Sequence, residues 1–206
     1  MTGVVALGLW ASGCDGNPTT VGPTDQARAA TVPADKTVKP PPTRGRMLGG
    51  QSVVRVVDWS SPGTVDASAY ETLPESAQRE VDMAPVPMLV PNDAALLASA
   101  VVTTGKHWAA LASHADGIHV SVQASGEAKV YSHIKPVRGP DQVRGQDAFV
   151  THNEGIWVAS WIEHGVAYNV ELECADIKAD ACQNEQAVTA VAEGLTFVGG
   201  RGEAHR

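Results

Sequence analysis

The sequence predicts an α+β fold: an antiparallel β-sheet with a C-terminal helix packed on it, following a disordered N-terminal tether. Three observations predict it. From Val101 onward the apolar residues recur with a period of two, in short runs separated by Gly-containing turns. Ile156 to Cys174 reads as two alternating runs joined by His164-Gly165, a two-residue hairpin loop in which Gly supplies a positive φ. After Cys182 the period lengthens, and Val188, Val191, Ala192 and Leu195 follow helical spacing. Strands, then hairpin, helix and strand, is the order of a sheet with helices segregated onto one face.

The elements follow from local chemistry. Ser52 to Trp59, Ser-Val-Val-Arg-Val-Val-Asp-Trp, reads as a strand, although the same residues suit a sticky piece of linker. Pro74 to Val81 reads as a short helix, because Pro is pre-organised for the first helical turn. Ala84 to Pro91 is extended, since its prolines forbid helix. Asn92 or Asp93 caps a short helix through Ser99. Strands are expected at Val101–Thr104, His107–Ala112, Ile118–Gln123 and Ala148–Thr151. Thr104-Gly105-Lys106 and Ala115-Asp116-Gly117 read as turns, and Gly126 and Pro136 to Gly145 as loops.

In the His164-Gly165 hairpin, Glu163 pairs with Val166, Trp161 with Tyr168, Ala159 with Val170, and Trp157 with Leu172. That register gathers Trp157, Trp161 and Tyr168 on one face, a candidate ligand face, although such a stripe is more often simply core. Asn169, Glu171 and Glu173 fall on the other face. The first strand is apolar on both sides through Ile156, Val158 and Ile162, which predicts an interior, doubly covered strand. Asn184 caps the last helix, which runs through Glu193 to a stop at Gly194, and Leu195 to Val198 closes as a strand.

The N-terminus bears on location. Val4 to Trp10 is a short apolar run, Ala11, Ser12 and Gly13 are small, and Cys14 follows. This is the pattern of a lipoprotein signal, in which the Cys thiol takes a diacylglyceryl group and becomes the mature N-terminus. The basic residues usual before the apolar run are missing, and Ala11 stands where Leu or Val is usual. From residue 15 to about 50 the chain is rich in Pro, Thr, Gly, Ala and Asp, and includes Lys39-Pro40-Pro41-Pro42. It has too little apolar surface to fold alone and suits a spacer. The expected organisation is therefore a signal peptide over 1–14 and a linker over 15–50. Mixed linker and short helix follow over 51–83, the α+β domain over 84–200 and a tail over 201–206.

Three cysteines are an odd number. Assigning Cys14 to lipid leaves Cys174 and Cys182, eight positions apart, as a disulfide pair suited to an oxidising compartment. Zinc ligation is an alternative, but the spacing fits no common zinc motif. Two unrelated buried thiols are another.

Composition narrows the partners. The net charge of -8 argues against nucleic acid, whose phosphates need clustered Lys and Arg. There are seven histidines, and His107, His114 and His119 fall within thirteen residues, close enough on adjacent strands to converge on a metal. Solvated strand-edge and turn histidines are the favoured reading. No Ser sits in a Gly-x-Ser-x-Gly elbow. Glu171, Glu173, Asp176 and Asp180 surround the cysteine loop without calcium-loop spacing, which is the pattern of a solvated acidic face.

The segment from Asn153 through Trp157, Trp161 and Tyr168, with Glu171-Leu-Glu-Cys174 and later Ala192-Glu-Gly-Leu, resembles uncharacterised Gram-negative bacterial envelope lipoproteins over residues 73 to 200. Residues 150 to 198 are also similar in outline to extracytoplasmic domains of anti-sigma-factor-like membrane proteins, although this chain lacks a sigma-binding part. The resemblance implies an envelope location and a binding or sensing role, and it carries over no catalytic residues. The expectation is a non-enzymatic envelope lipoprotein without metal or cofactor. It is held to the membrane through its lipid, faces the periplasm or cell exterior, and has an envelope protein or cell-wall partner. The alternative is a periplasmic metal-assisted hydrolase built on His107, His114 and His119.

Overall fold

The computed structural model describes residues 50–60, 62–179 and 182–200, all within one unit that begins at Arg46. Cys14, the signal segment 1–14, the linker as far as residue 49 and the tail 201–206 lie outside the described residues.

A seven-stranded antiparallel sheet forms the centre. In chain order its strands are β3 (Val101–Thr104), β4 (Trp108–Ala115), β5 (Ile118–Ser125), β7 (Asp141–Val143), β8 (Gln146–Asn153), β9 (Ile156–Glu163) and β10 (Val166–Cys174). In space they run β3-β4-β5-β10-β9-β8-β7. Two ribbons stand beside it: β1 (Gln51–Val54) with β6 (Glu127–Val130), and β2 (Met88–Val90) with β11 (Thr196–Gly199). The helices are α1 (Ala67–Thr72), α2 (Glu75–Met83), α3 (Ala94–Ala98) and α4 (Gln186–Glu193). The fold is α+β, as the sequence predicts.

Pleating decides which side chains meet. One face of the sheet carries Leu111, Val120, Val122, Val170 and Leu172, all buried. The helices and the β2–β11 ribbon pack against that face, bringing Ala77, Val81, Leu97, Val188 and Ala192 into one core. The core is mostly aliphatic, as the low aromatic content requires, with Trp161 and Tyr168 as its buried aromatic residues. The expected boundary at residue 84 falls inside this unit, because Ala69, Leu73, Ala77 and Val81 are core residues. α2 falls where Pro74 to Val81 predicts a short helix, whereas the six residues of α1 carry too short an apolar spacing to announce it.

The Ile156 to Cys174 hairpin has the expected register, pairing Glu163 with Val166, Trp161 with Tyr168 and Trp157 with Leu172. His164 and Gly165 both have positive φ, as a two-residue loop with the twist of its strands demands. Asp116-Gly117, Arg144-Gly145 and Glu154-Gly155 repeat the same turn. One expectation is corrected. β9 is interior in hydrogen bonding, between β10 and β8, but it is covered on one side only. Ile162 is 46% exposed, because helices pack on a single face of the sheet.

Other differences are local. β7 forms inside the expected loop from Pro136 to Gly145. The Asp141 carboxylate holds it there by accepting from the Val150 N–H at 2.8 Å. Ser52 to Trp59 pairs only as far as Val54 and then leaves its partner as an irregular strap. Asp93 caps α3, accepting from Ala95 and Leu96 N–H at 2.9 Å. The cap position of α4 is Glu185 rather than Asn184, although the Asn184 side chain accepts from Gln186 N–H at 2.9 Å.

Cys174 and Cys182 form a disulfide. It joins the end of β10 to the approach to α4, and the Trp157 indole N–H donates to the Cys182 carbonyl at 3.0 Å. Among the described residues no helix is long and apolar enough to cross a membrane.

Candidate functional site

The strap from Arg55 to Trp59 forms one wall of the site. Its backbone is fixed at two points. Arg55 N–H donates to the Gly126 carbonyl at 2.7 Å, and Asp58 N–H donates to the His164 carbonyl at 2.9 Å. Between them the Val56 carbonyl lies directly on Gly165, where any Cβ would collide with it. Gly165 is thus required twice, by its φ of 79° and by this approach. At the far end the Trp59 ring lies over Gly200, 3.0 Å from where a Cβ would stand.

Opposite the strap are the end of α2 at Met83, Pro85, and the β3–β4 turn with Lys106 and His107. That turn is closed by Gly105 N–H donating to the Trp108 carbonyl at 2.9 Å. Together these walls enclose a groove of about 700 Å³, within the size range of sites for small ligands. Its aliphatic walls are open to solvent, with Val56 91% and Met83 52% exposed.

The electrostatics of the groove are one-sided. Arg55, Lys106 and His107 line it, and among the described residues no carboxylate does. Nearby acids are turned to other partners. Asp58 accepts from Ser60 Oγ at 2.7 Å, Glu80 from Thr104 Oγ1 at 2.7 Å, and Asp82 from Tyr70 OH at 3.0 Å. Arg55 and Lys106 make no ion pair with any described residue. In a chain of net charge -8 the lining itself is basic.

A half-buried charge cluster lies under the same hairpin turn. Arg144 Nε meets Glu163 Oε2 at 2.8 Å, and His164 Nε2 meets Glu163 Oε1 at 3.1 Å. The Trp161 indole N–H donates to Glu163 Oε2 at 3.0 Å. Arg144 also donates to the Leu195 carbonyl at 2.8 Å and the Glu193 carbonyl at 3.3 Å, closing the end of α4. Burial works to raise the Glu163 carboxyl. The hydrogen bonds from Arg144 and Trp161 and the charges of Arg144 and His164 together outweigh it and hold the group below the usual range. Every partner here is spoken for, and the cluster reads as a structural clamp.

Among the described residues no helix covers the outer face of the sheet. A polar row crosses it, Ser160 Oγ donating to Asn169 Oδ1 at 2.7 Å and Asn169 Nδ2 to Glu171 Oε1 at 3.1 Å. Beside it Phe149 and Ile162 stand about half exposed over a depression of about 440 Å³.

The residues singled out from sequence are distributed differently from expectation. Trp161 and Tyr168 are buried and stacked with ring centroids 5.5 Å apart, and the Tyr168 hydroxyl donates to the Pro87 carbonyl at 3.0 Å. Burial first, then the Glu163 charge, pushes that phenol up. Trp157 is half-buried and stacked on His152. Trp161 and Tyr168 thus pack in the core, with helices and β2 on that side of the sheet, and both also border the depression beside Phe149 and Ile162.

The histidines do not converge. His114 and His119 are cross-strand partners on the outer face with rings 5.8 Å apart. His107 precedes β4, roughly 23 Å along the strand from His114 at ordinary strand rise, and lines the groove instead. Among the described residues no three His, Cys, Asp or Glu side chains are grouped to hold a metal ion. Glu171 and Glu173 lie on the outer face and Asp176 is exposed beyond it, whereas Asp180 lies outside the described residues.

Sequence reasoning missed the groove. Its signal was Arg55 within a Val-rich run, a basic side chain at a position where a sheet strand had no need of one. Compared with protein-family models, with curated proteins and with solved structures, the chain matches none.

Proposed function

We propose that this chain is an exported envelope lipoprotein, anchored through Cys14, whose folded unit binds or senses a partner outside the cytoplasm. The observation that carries the reading is the Cys174–Cys182 disulfide. Such a crosslink persists in oxidising compartments and is rare where glutathione keeps thiols reduced. The lipoprotein-like sequence ending at Cys14 and the Pro-rich stretch behind it support the same location. The resemblance to Gram-negative envelope lipoproteins agrees with it.

Two surfaces support a binding role. One is the groove under the strap, and the other is the outer face with Phe149 and Ile162. An envelope protein or a cell-wall component is the expected class of partner. Metabolic labelling with a palmitate analogue, followed by fractionation of the cells that make the protein, tests the anchor. Label in the membrane fraction that is lost in Cys14→Ser supports it, whereas unlabelled protein in the cytosol overturns it.

A further inference from the structure

Resting on the reading of the folded unit as a binding domain, we propose that the groove beneath the strap is its ligand site. Its ligand is an anionic amphiphile: one phosphate or carboxylate head joined to an aliphatic chain.

Charge selects the head. Arg55, Lys106 and His107 come from two separate segments of the chain and converge on one groove. The neighbouring carboxylates of Asp58, Glu80 and Asp82 accept from hydroxyls and are not among the residues that line the groove. An anion entering the groove meets donors without displacing an internal ion pair, since Arg55 and Lys106 have none among the described residues. A guanidinium and an ammonium each make charge-assisted hydrogen bonds to such a head.

The walls select the tail. Val54, Val56 and Met83 present exposed aliphatic surface, and Trp59 and Pro85 complete the lining. Large apolar groups left in water beside a basic cluster suit a ligand with both characters. Nucleic acid fits poorly, because three basic groups in one short groove give no track along a phosphate backbone.

The groove is also a built feature. The strap is fixed to the β5–β6 and β9–β10 turns by backbone hydrogen bonds from Arg55 and Asp58, so its main chain is held in place before a ligand arrives. Preorganisation of this kind lowers the entropy lost on binding.

The test uses the full chain carrying Cys14→Ser, so that no acyl anchor contributes, and follows the Trp59 indole N–H by NMR. Dodecyl phosphate below its micelle concentration is the probe, with dodecyl maltoside as the neutral control. Saturable shifts at Trp59 are expected with the phosphate alone. Arg55→Gln and Lys106→Gln should each weaken binding about tenfold, with the spectrum elsewhere unchanged. Vesicles of phosphatidylglycerol or phosphatidylcholine separate the two sources of such a head. Capture by phosphatidylglycerol alone, lost in both variants, assigns the head to a bilayer lipid. Binding of the monomer without vesicle capture assigns it to a free amphiphile.

Equal binding of the neutral detergent, indifference to both substitutions, or no binding to monomer or vesicle each overturns the proposal. None of these readouts depends on where the protein resides. A cytosolic chain that still binds dodecyl phosphate refutes the location alone, and an exported chain that does not bind refutes the ligand alone.

Discussion

The main-chain N–H of Asp58 donates to the carbonyl of His164 at 2.9 Å, tying the strap to the turn of the β9–β10 hairpin. Two segments more than a hundred residues apart meet at this bond, and the groove exists because they do. The turn beneath it must be glycine at its second position. Gly165→Ala introduces a side chain at positive φ that also collides with the Val56 carbonyl. The expected loss is about 2 kcal/mol or more. Gly145→Ala has the same φ problem but open space around it, and should cost only about 1 kcal/mol. Urea unfolding of the two variants checks the difference, and equal losses would show that the strap contact carries no energy.

The disulfide stabilises the C-terminal corner. Replacing both Cys174 and Cys182 by Ser should lower stability by about 2.5 kcal/mol in the chain-entropy account of so short a loop. The Trp157 indole, bonded to the Cys182 carbonyl, reports on the same corner. Loss of the crosslink should alter its side-chain NMR resonance while the β3–β4 region keeps its native shifts.

Glu163 makes stability depend on pH. Its folded-state carboxyl lies below the ordinary glutamate value, so the stabilisation is fully present above that value. It is lost as pH falls through the folded value. Unfolding free energy should therefore decline on acidification below about pH 5. Asp66, held low chiefly by the Ala69 N–H it accepts from, adds to the decline with the same sign. Glu163→Gln should make the decline shallower, and an unchanged slope would remove Glu163 from the account.

Tyr168 separates core from ligand face. Tyr168→Phe removes the hydroxyl that donates to Pro87 and leaves a buried carbonyl without that donor. The expected cost is about 1–2 kcal/mol of stability. Dodecyl phosphate affinity should stay unchanged, because Tyr168 does not line the groove. Lowered affinity in a fully folded variant would return the aromatic face to candidacy as a site.

The parts of the fold visible beforehand were those in which local pattern and tertiary structure agree. His164-Gly165 flanked by alternating residues fixes the hairpin register because a slip would turn Trp161 and Tyr168 outward. Asp93 before Ala-Ala-Leu-Leu announces α3 because its side chain satisfies helix N–H groups. What stayed hidden depends on distant partners. β7 is three residues long and borders Pro140 and Arg144-Gly145, so nothing local distinguishes it from loop. The groove is assembled from Arg55, Met83 and Lys106, which share no sequence spacing. Trp157, Trp161 and Tyr168 did announce a face, but pattern alone does not say whether helices cover it.

The account stands or falls on compartment, and the most direct measurement is non-reducing peptide mapping of the protein recovered from the cells that make it. The account predicts that the peptides bearing Cys174 and Cys182 are recovered crosslinked and that Cys14 is the acylated first residue. Free thiols at Cys174 and Cys182, together with an unacylated Cys14 following an intact Met1, would contradict it.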